Sequence, residues 1–318
     1  MKKFLSILLS LAVLPGLCAC AGGQSGSADT TASTEPSKNQ NLLEEPVFDY
    51  IAYSRLDDGD KGPINSEEHL RYCASLPYTT LKADVQPTAD GGLVLCHDKG
   101  FTFKDGRIVT YDKNNNTPII NLTTEQCLSL EHNAQYEGKH CKITDFETFI
   151  KICAESNKWA YITVRDEYVN EVVAAVMPVL EKYNWVQNSI INSFTLYTLE
   201  AFRKASPDIR LSYVLQYGKV LTRMDVDTAV RLGNCIVTTF HFRVSDTQSG
   251  WATMEQSADG IAYAKDKGVK LYQAQVAQGV DLKKLIEAGY SGAQLRFQPE
   301  FTEHTNREEH ENENSHSF

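Results

Sequence analysis

The sequence predicts an α/β fold, a parallel (β/α)8 TIM barrel, on three observations. Short β-rich runs recur eight times, helix-period apolar patterns fall between them, and the stretch carrying both, 46–299, holds 254 residues. One such barrel takes ~250 residues and alternates strand with helix throughout. An open doubly wound sheet is the competing arrangement, but the chain has neither a GxGxxG turn nor a P-loop to favour it.

The chain opens on an address. Lys2 and Lys3 form a short basic region, and Phe4 to Leu14 is an apolar run of eleven residues. That is short of the ~20 needed to span a bilayer and has the layout of a bacterial secretory signal. Leu17-Cys18-Ala19-Cys20 then resembles the lipobox of bacterial lipoproteins, whose Cys receives a diacylglyceryl group and becomes the new N-terminus. Cys20 follows the small Ala19, whereas Cys18 follows the bulky Leu17, so Cys20 is the expected lipidation site and 1–20 the signal peptide. A lipidated residue holds a protein at a membrane without a spanning helix, which implies an extracytoplasmic, membrane-anchored protein. Residues 21–45 are rich in Ser, Thr, Gly, Gln and Asn, lack aromatic side chains, and are expected to form a disordered tether.

Within 46–299 the strand candidates, each rich in Val, Ile, Thr or Tyr, begin with 47–53, 79–86, 160–165 and 189–193. They continue with 209–215, 235–242, 269–276 and 293–297. A helix is expected from Asp145, with the Thr144 hydroxyl as cap and Glu147 reaching back. Val169, Val172, Val173, Val176 and Leu180 make one apolar face of another, in which Pro178 predicts a kink or a restart. Leu282, Leu285 and Ile286 form a last helical face, closed by Gly289. Residues 300–318 hold six Glu, one Arg and three His and are expected to be a solvated acidic tail.

Charge and cysteine usage narrow the partners. The chain has 31 basic and 41 acidic side chains, a formal charge of −10, and loss of the signal takes this to −12. Such a surface repels nucleic acid, which excludes it as the expected partner. No pair among Cys73, Cys96, Cys127, Cys141, Cys153 and Cys235 has CxxC spacing, so a structural metal is not expected. An exported protein permits disulfides, but several of these cysteines sit in apolar runs where buried free thiols are the plain expectation.

The informative stretch is LKADVQPTADGGLVLCHD, Leu81 to Asp98. Asp84, Val85, Thr88, Asp90, Gly91, Leu93, Val94, His97 and Asp98 match E-x-D-V-x-x-T-x-D-G-x-L-V-x-x-H-D position by position. That pattern resembles the signature of the glycerophosphodiester phosphodiesterase family. Asn65-Ser66, Asn192-Ser193-Phe194, Pro207 and Gly289-Tyr290-Ser291-Gly292 are similar to its flanking motifs, so the resemblance covers nearly all of 46–299. It implies an eight-stranded barrel, independently of the pattern above.

The resemblance also implies a chemistry: hydrolysis of glycerophosphodiesters to an alcohol and glycerol 3-phosphate. A divalent ion, magnesium or calcium, is held by three carboxylates, and two histidines serve as acid and base. The second histidine carries over to His97 and one carboxylate, a metal ligand, to Asp84. The other positions differ. The Glu of E-x-D is Lys82, the third carboxylate is Thr163, and the first histidine falls on Tyr53 in Ala52-Tyr53-Ser54-Arg55. Three of the five expected catalytic or metal residues are thus replaced. Lys82, Arg165 and Arg55 are the cations expected to contact phosphate, Arg165 foremost because a guanidinium grips two oxygens at once. His241, at a strand end, is expected to pack rather than to catalyse.

Strand alternation puts Lys82 and Asp84 on one face, and Thr163 and Arg165 on one face. The family's three carboxylates and one ion sum to −1, whereas Lys82 and Asp84 sum to 0 with no ion. A divalent cation ~5 Å from the Lys82 ammonium would be repelled by roughly 6–7 kcal/mol at an effective dielectric of ~20. The sequence therefore predicts a family-type phosphoric diester hydrolase fold with a degraded site and weak or no hydrolysis. The alternatives are a module that binds phosphate or a glycerophosphodiester without cleaving it, and a surface scaffold.

Overall fold

The computed structural model describes residues 42–53, 62–109, 116–165, 168–240, 253–276 and 282–296. The first half runs β1 (Asp49–Ala52), α1 (Glu67–Ala74), β2 (Thr80–Pro87), β3 (Leu93–Leu95), β4 (Gly100–Lys104), β5 (Arg107–Val109), β6 (Asn116–Pro118), α2 (Thr124–Leu128), β7 (Glu131–Tyr136), β8 (Lys139–Lys142) and α3 (Phe146–Ser156). The second half runs β9 (Trp159–Val164), α4 (Val169–Lys182), β10 (Ser189–Ser193), α5 (Leu196–Ala205), β11 (Arg210–Val214), α6 (Arg223–Leu232), β12 (Cys235–Thr239), α7 (Ala258–Asp266), β13 (Leu271–Val276), α8 (Leu282–Glu287) and β14 (Gly292–Leu295).

Eight strands, β1, β2 and β9 to β14, pair in parallel and close into a barrel through β1 and β2, with Ile51 opposite Thr80 and Ala52 opposite Leu81. All eight predicted runs are barrel strands. Only their ends shift by a residue or two, and His241 and Phe242 of the sixth lie outside the described residues. The alternation holds as well. Leu81, Ala83 and Val85 pack outward with the helices, as do Ala160, Ile162 and Val164, while Ile51, Trp159, Tyr161, Ile190, Ile236 and Tyr272 fill the barrel interior.

Between β2 and α3 the chain leaves the barrel. β3 folds back antiparallel on the end of β2, and β4 to β8 form a second, five-stranded sheet. A small core of Val94, Phe101, Ile108, Ile119, Cys127 and Ile143 holds this insertion together. The sequence reading did not anticipate it.

Two helix expectations are corrected. α3 is capped by Asp145, whose carboxylate accepts from the Thr148 N–H at 2.6 Å, and not by Thr144. A carboxylate is the better partner there, because it meets the positive end of the helix dipole. α4 runs from Val169 to Lys182 through Pro178 without a restart. Pro178 and Ala174 both lie on the exposed face, so the carbonyl that loses its donor is open to solvent. α8 ends as expected, with Gly289 at φ +93° and its N–H donating to the Ile286 carbonyl.

The last residues assigned to the tether are docked on the barrel base. The Leu43 N–H donates to Asn188 Oδ1 at 3.0 Å, and Trp159 Nε1 donates to the Glu44 carbonyl at 3.3 Å. Glu45 lies 2.5 Å from Arg210 and 2.6 Å from Lys270. The six cysteines of the core are free thiols, four of them buried. Among the described residues no helix is long and apolar enough to cross a membrane.

Candidate active site at the barrel mouth

A cavity of about 140 Å³ opens at the C-terminal end of the barrel strands. In this architecture the loops at that end carry function, while the opposite end serves stability. One wall is polar, built from Lys82, Asp84, His97, Thr163 and Arg165. The other is aromatic. Phe194 and Phe240 lie nearly parallel with centroids 6.1 Å apart, and Tyr217 sits 4.2 Å from Phe240.

Lys82 and Asp84 come from β2 at the expected two-residue spacing, and both are buried, at 5% and 1% exposure. They bind each other. The Lys82 ammonium donates to both Asp84 oxygens, at 3.0 Å each, and stands 4.9 Å from the centre of the Tyr53 ring. Burial alone would raise the Asp84 carboxyl, but Lys82, then His97 and Arg165, more than offset this and hold it below the usual range. Burial lowers the Lys82 ammonium, with Asp84 opposing. Behind them, the Asp84 N–H donates to Asn65 Oδ1 at 3.3 Å, with Asn65 in the left-handed region at φ +63°.

Thr163 stands directly across from Asp84 on β9. Its hydroxyl accepts from Asn192 Nδ2 at 3.1 Å, and Asn192 Oδ1 accepts from the Tyr161 hydroxyl at 2.7 Å. Tyr161 also meets Ser212, Thr238 and Gln294 within 3.2 Å, so its hydroxyl is the hub of a polar plug beneath the cavity. Burial pushes that hydroxyl up to about 12. The plug ties β9, β10, β11, β12 and β14 together beneath the cavity.

His97 reaches the same cavity by a different route. The hairpin from β2 to β3 turns the chain back, and the Cys96 N–H then donates to the Asp84 carbonyl at 3.0 Å. His97 Nδ1 lies 2.9 Å from Asp98 Oδ1, so the neighbouring carboxylate orients the ring. Thr88 and Asp90, both in the signature block, stay within this turn. Asp90 accepts from Thr88 Oγ1 at 2.7 Å and from the Thr124 N–H at 3.0 Å, which brings its carboxyl down to about 2. Their role is to set the hairpin that delivers His97.

Of the sequence-predicted residues, the fold thus brings Lys82, Asp84, His97 and Arg165 into one cavity, with the replaced positions Tyr53 and Thr163 beside them. Arg55 and Cys20 lie outside the described residues. Arg165 is half-buried, and its Nε has no hydrogen-bond partner. Sequence reasoning missed Gln275, Gln294, Tyr217 and Phe240 as cavity residues. Strand alternation across the predicted run 293–297 could have found Gln294. Gln275 had no such signal, since a register shift in β13 turns it, at φ +53°, so that its amide donates to the Tyr53 and Tyr217 hydroxyls at 3.1 Å each.

The residues present do not fit a divalent ion. Both oxygens of Asp84 are taken by an ammonium, and Thr163 offers a hydroxyl where a second carboxylate would be needed. Among the described residues no group of three His, Cys, Asp or Glu side chains converges. With Lys82 and Asp84 cancelling, Arg165 leaves the polar wall net positive, which suits an anion.

A barrel with its chemistry at the C-terminal mouth and a signature hairpin delivering a histidine defines a class of phosphodiesterase-like proteins. The family model of the Glycerophosphoryl diester phosphodiesterase family matches residues 59–293, and the chain belongs to that family. It is 22% identical over 241 residues to the glycerophosphodiester phosphodiesterase of Caldanaerobacter subterraneus, covering 74% of this chain and 89% of that protein. Among solved structures it resembles an Oleispira antarctica phosphodiesterase in complex with the product sn-glycerol-3-phosphate. The TM-score is 0.62 at 15% identity, over 79% of this chain and 93% of that one. A glycerophosphodiester phosphodiesterase from Parabacteroides distasonis matches with a TM-score of 0.59 at 15% identity, over 80% and 95% of the two chains. These structural likenesses bear out the barrel.

Proposed function

We propose that this chain is a membrane-anchored, extracytoplasmic member of the family that recognises glycerophosphodiesters or their phosphate without a divalent ion and hydrolyses them weakly or not at all. The observation that carries the reading is the Lys82 ammonium 3.0 Å from both oxygens of Asp84, where the family places carboxylates around an ion. An ammonium has three N–H bonds, so two given to Asp84 leave one for a ligand, beside the Arg165 guanidinium. A fixed cation offsets phosphate charge without metal, as preorganised donors do elsewhere. Hydrolysis needs more: a nucleophile, and proton transfer on both sides of phosphorus. His97 is one imidazole able to serve as acid or base, and the Tyr53 phenol is a poor second. The product-bound Oleispira relative supports the class of ligand. The lipobox-like Leu17-Cys18-Ala19-Cys20 supports the location.

Calorimetry with glycerol 3-phosphate, with and without chelator, should give the same affinity. Glycerophosphodiester turnover should be low and insensitive to magnesium or calcium. The triple variant Tyr53→His, Lys82→Glu, Thr163→Glu should gain metal-dependent cleavage. A wild type that binds only with added ion, or whose turnover rises with it, overturns the reading in favour of a working enzyme. Binding under neither condition favours a scaffold.

A further inference from the structure

We propose that a second pocket, between the barrel rim and the inserted sheet, is the subsite for the alcohol half of a glycerophosphodiester, and that it selects polyol headgroups over ammonium-bearing ones. The inference rests on the phosphate-binding reading above and extends it to substrate class. The pocket holds about 300 Å³. Gln86, Lys99 and Tyr168 supply its polar groups, and Pro87, Pro118 and Ile120 its apolar ones.

Its position follows from β2. Gln86 comes two residues after Asp84, so the two side chains share a face of the strand with Cα atoms roughly 7 Å apart. That is about the reach of a small alcohol esterified to a phosphate held at Lys82 and Arg165. Across the pocket, Tyr168 stands three residues after Arg165 and is half exposed, with its backbone in the left-handed region at φ +59°. The two pockets therefore draw on the same two chain segments, Asp84 and Gln86 on β2, and Arg165 and Tyr168 between β9 and α4.

Its chemistry follows from the lining. Gln86 is 95% buried, and its amide nitrogen has no hydrogen-bond partner. A buried amide left unpaired is costly, and a ligand that supplies an acceptor relieves that cost. Lys99 is the one charged side chain among the described residues that line the pocket. An ammonium disfavours a second cation nearby and gives hydrogen bonds to hydroxyl oxygens. Pro87, Pro118 and Ile120 suit the C–H face of a polyol. A glyceryl headgroup meets all three conditions. A choline or ethanolamine headgroup meets the apolar condition and fails on charge.

The test is calorimetry on the full-length chain in chelator, with glycerol 3-phosphate, glycerophosphoglycerol and glycerophosphocholine as ligands. Glycerophosphoglycerol should bind about tenfold tighter than glycerol 3-phosphate, the worth of one good hydrogen bond. Glycerophosphocholine should gain nothing over the monoester. Gln86→Leu should bring the ratio of glycerophosphoglycerol to glycerol 3-phosphate affinity down to about one. Its melting temperature should not fall, since an unpaired amide is removed. Lys99→Glu, on the surface, should shift preference toward glycerophosphocholine. Equal affinity for the two diesters in wild type, or a ratio untouched by Gln86→Leu, overturns the subsite while glycerol 3-phosphate binding leaves the phosphate reading intact. If none of the three ligands binds, the phosphate reading fails and the subsite falls with it.

Discussion

At the scale of single residues, the buried pair of Lys82 and Asp84 bears on both ligand binding and stability. A buried ion pair is weak evidence for stability, but breaking one strands the partner's charge, which costs about 3–5 kcal/mol. Lys82→Met should therefore destabilise the chain by an amount of that order, read by urea or thermal unfolding. Replacing both partners, Lys82→Met with Asp84→Leu, should recover most of it, because the stranded carboxylate is gone. The pH dependence has a definite sign. Asp84 is held below its ordinary pKa, so its stabilising contribution is complete above ~3.9 and is lost as pH falls through the lower native value. Removing the ammonium raises that native value, so acid unfolding of Lys82→Met should begin at higher pH than in wild type.

At the scale of elements, the β2–β3 hairpin does the positioning. Within the signature block Gly92 stands where a Cβ would come 2.1 Å from Thr124 Oγ1, at the start of α2. Gly92→Ala should cost about 1–3 kcal/mol by overpacking, and adding Thr124→Ala should restore part of it. Thermal melts of the two variants check this, and a neutral Gly92→Ala would show that α2 yields. The inserted sheet was partly legible. Asp105-Gly106 and Glu137-Gly138 are two-residue turns with positive φ at both positions, joining β4 to β5 and β7 to β8. Asp-Gly is a hairpin signal visible in the sequence. The strands around it were not visible, because segments such as EHNAQY are short, polar and half exposed.

At the scale of the whole molecule, the mouth and the chain's entry lie at opposite ends of the barrel. Leu43, Glu44 and Glu45 fasten the start of the described chain to the base, while His97, Lys82 and Arg165 gather at the mouth. If Cys20 carries lipid, wild-type protein should sediment with membranes and incorporate palmitate, and Cys20→Ala should do neither. Label retained in Cys20→Ala refutes the anchor.

The eight barrel strands and the pairing of Lys82 with Asp84 on one face follow from the sequence by itself. Hydrophobic alternation has a period of two, and a one-residue slip would bury the wrong set. The departures from the family pattern at Lys82, Thr163 and Tyr53 could also be read from the letters alone. Only the tertiary structure decided that the Lys82 ammonium grips both Asp84 oxygens, that Tyr217 and Phe240 wall the cavity, and that Gln275 joins it. Those contacts depend on strand curvature, a register shift and loops far apart in the chain. Local pattern carries no information about which distant side chains a closed barrel brings within 3 Å of each other.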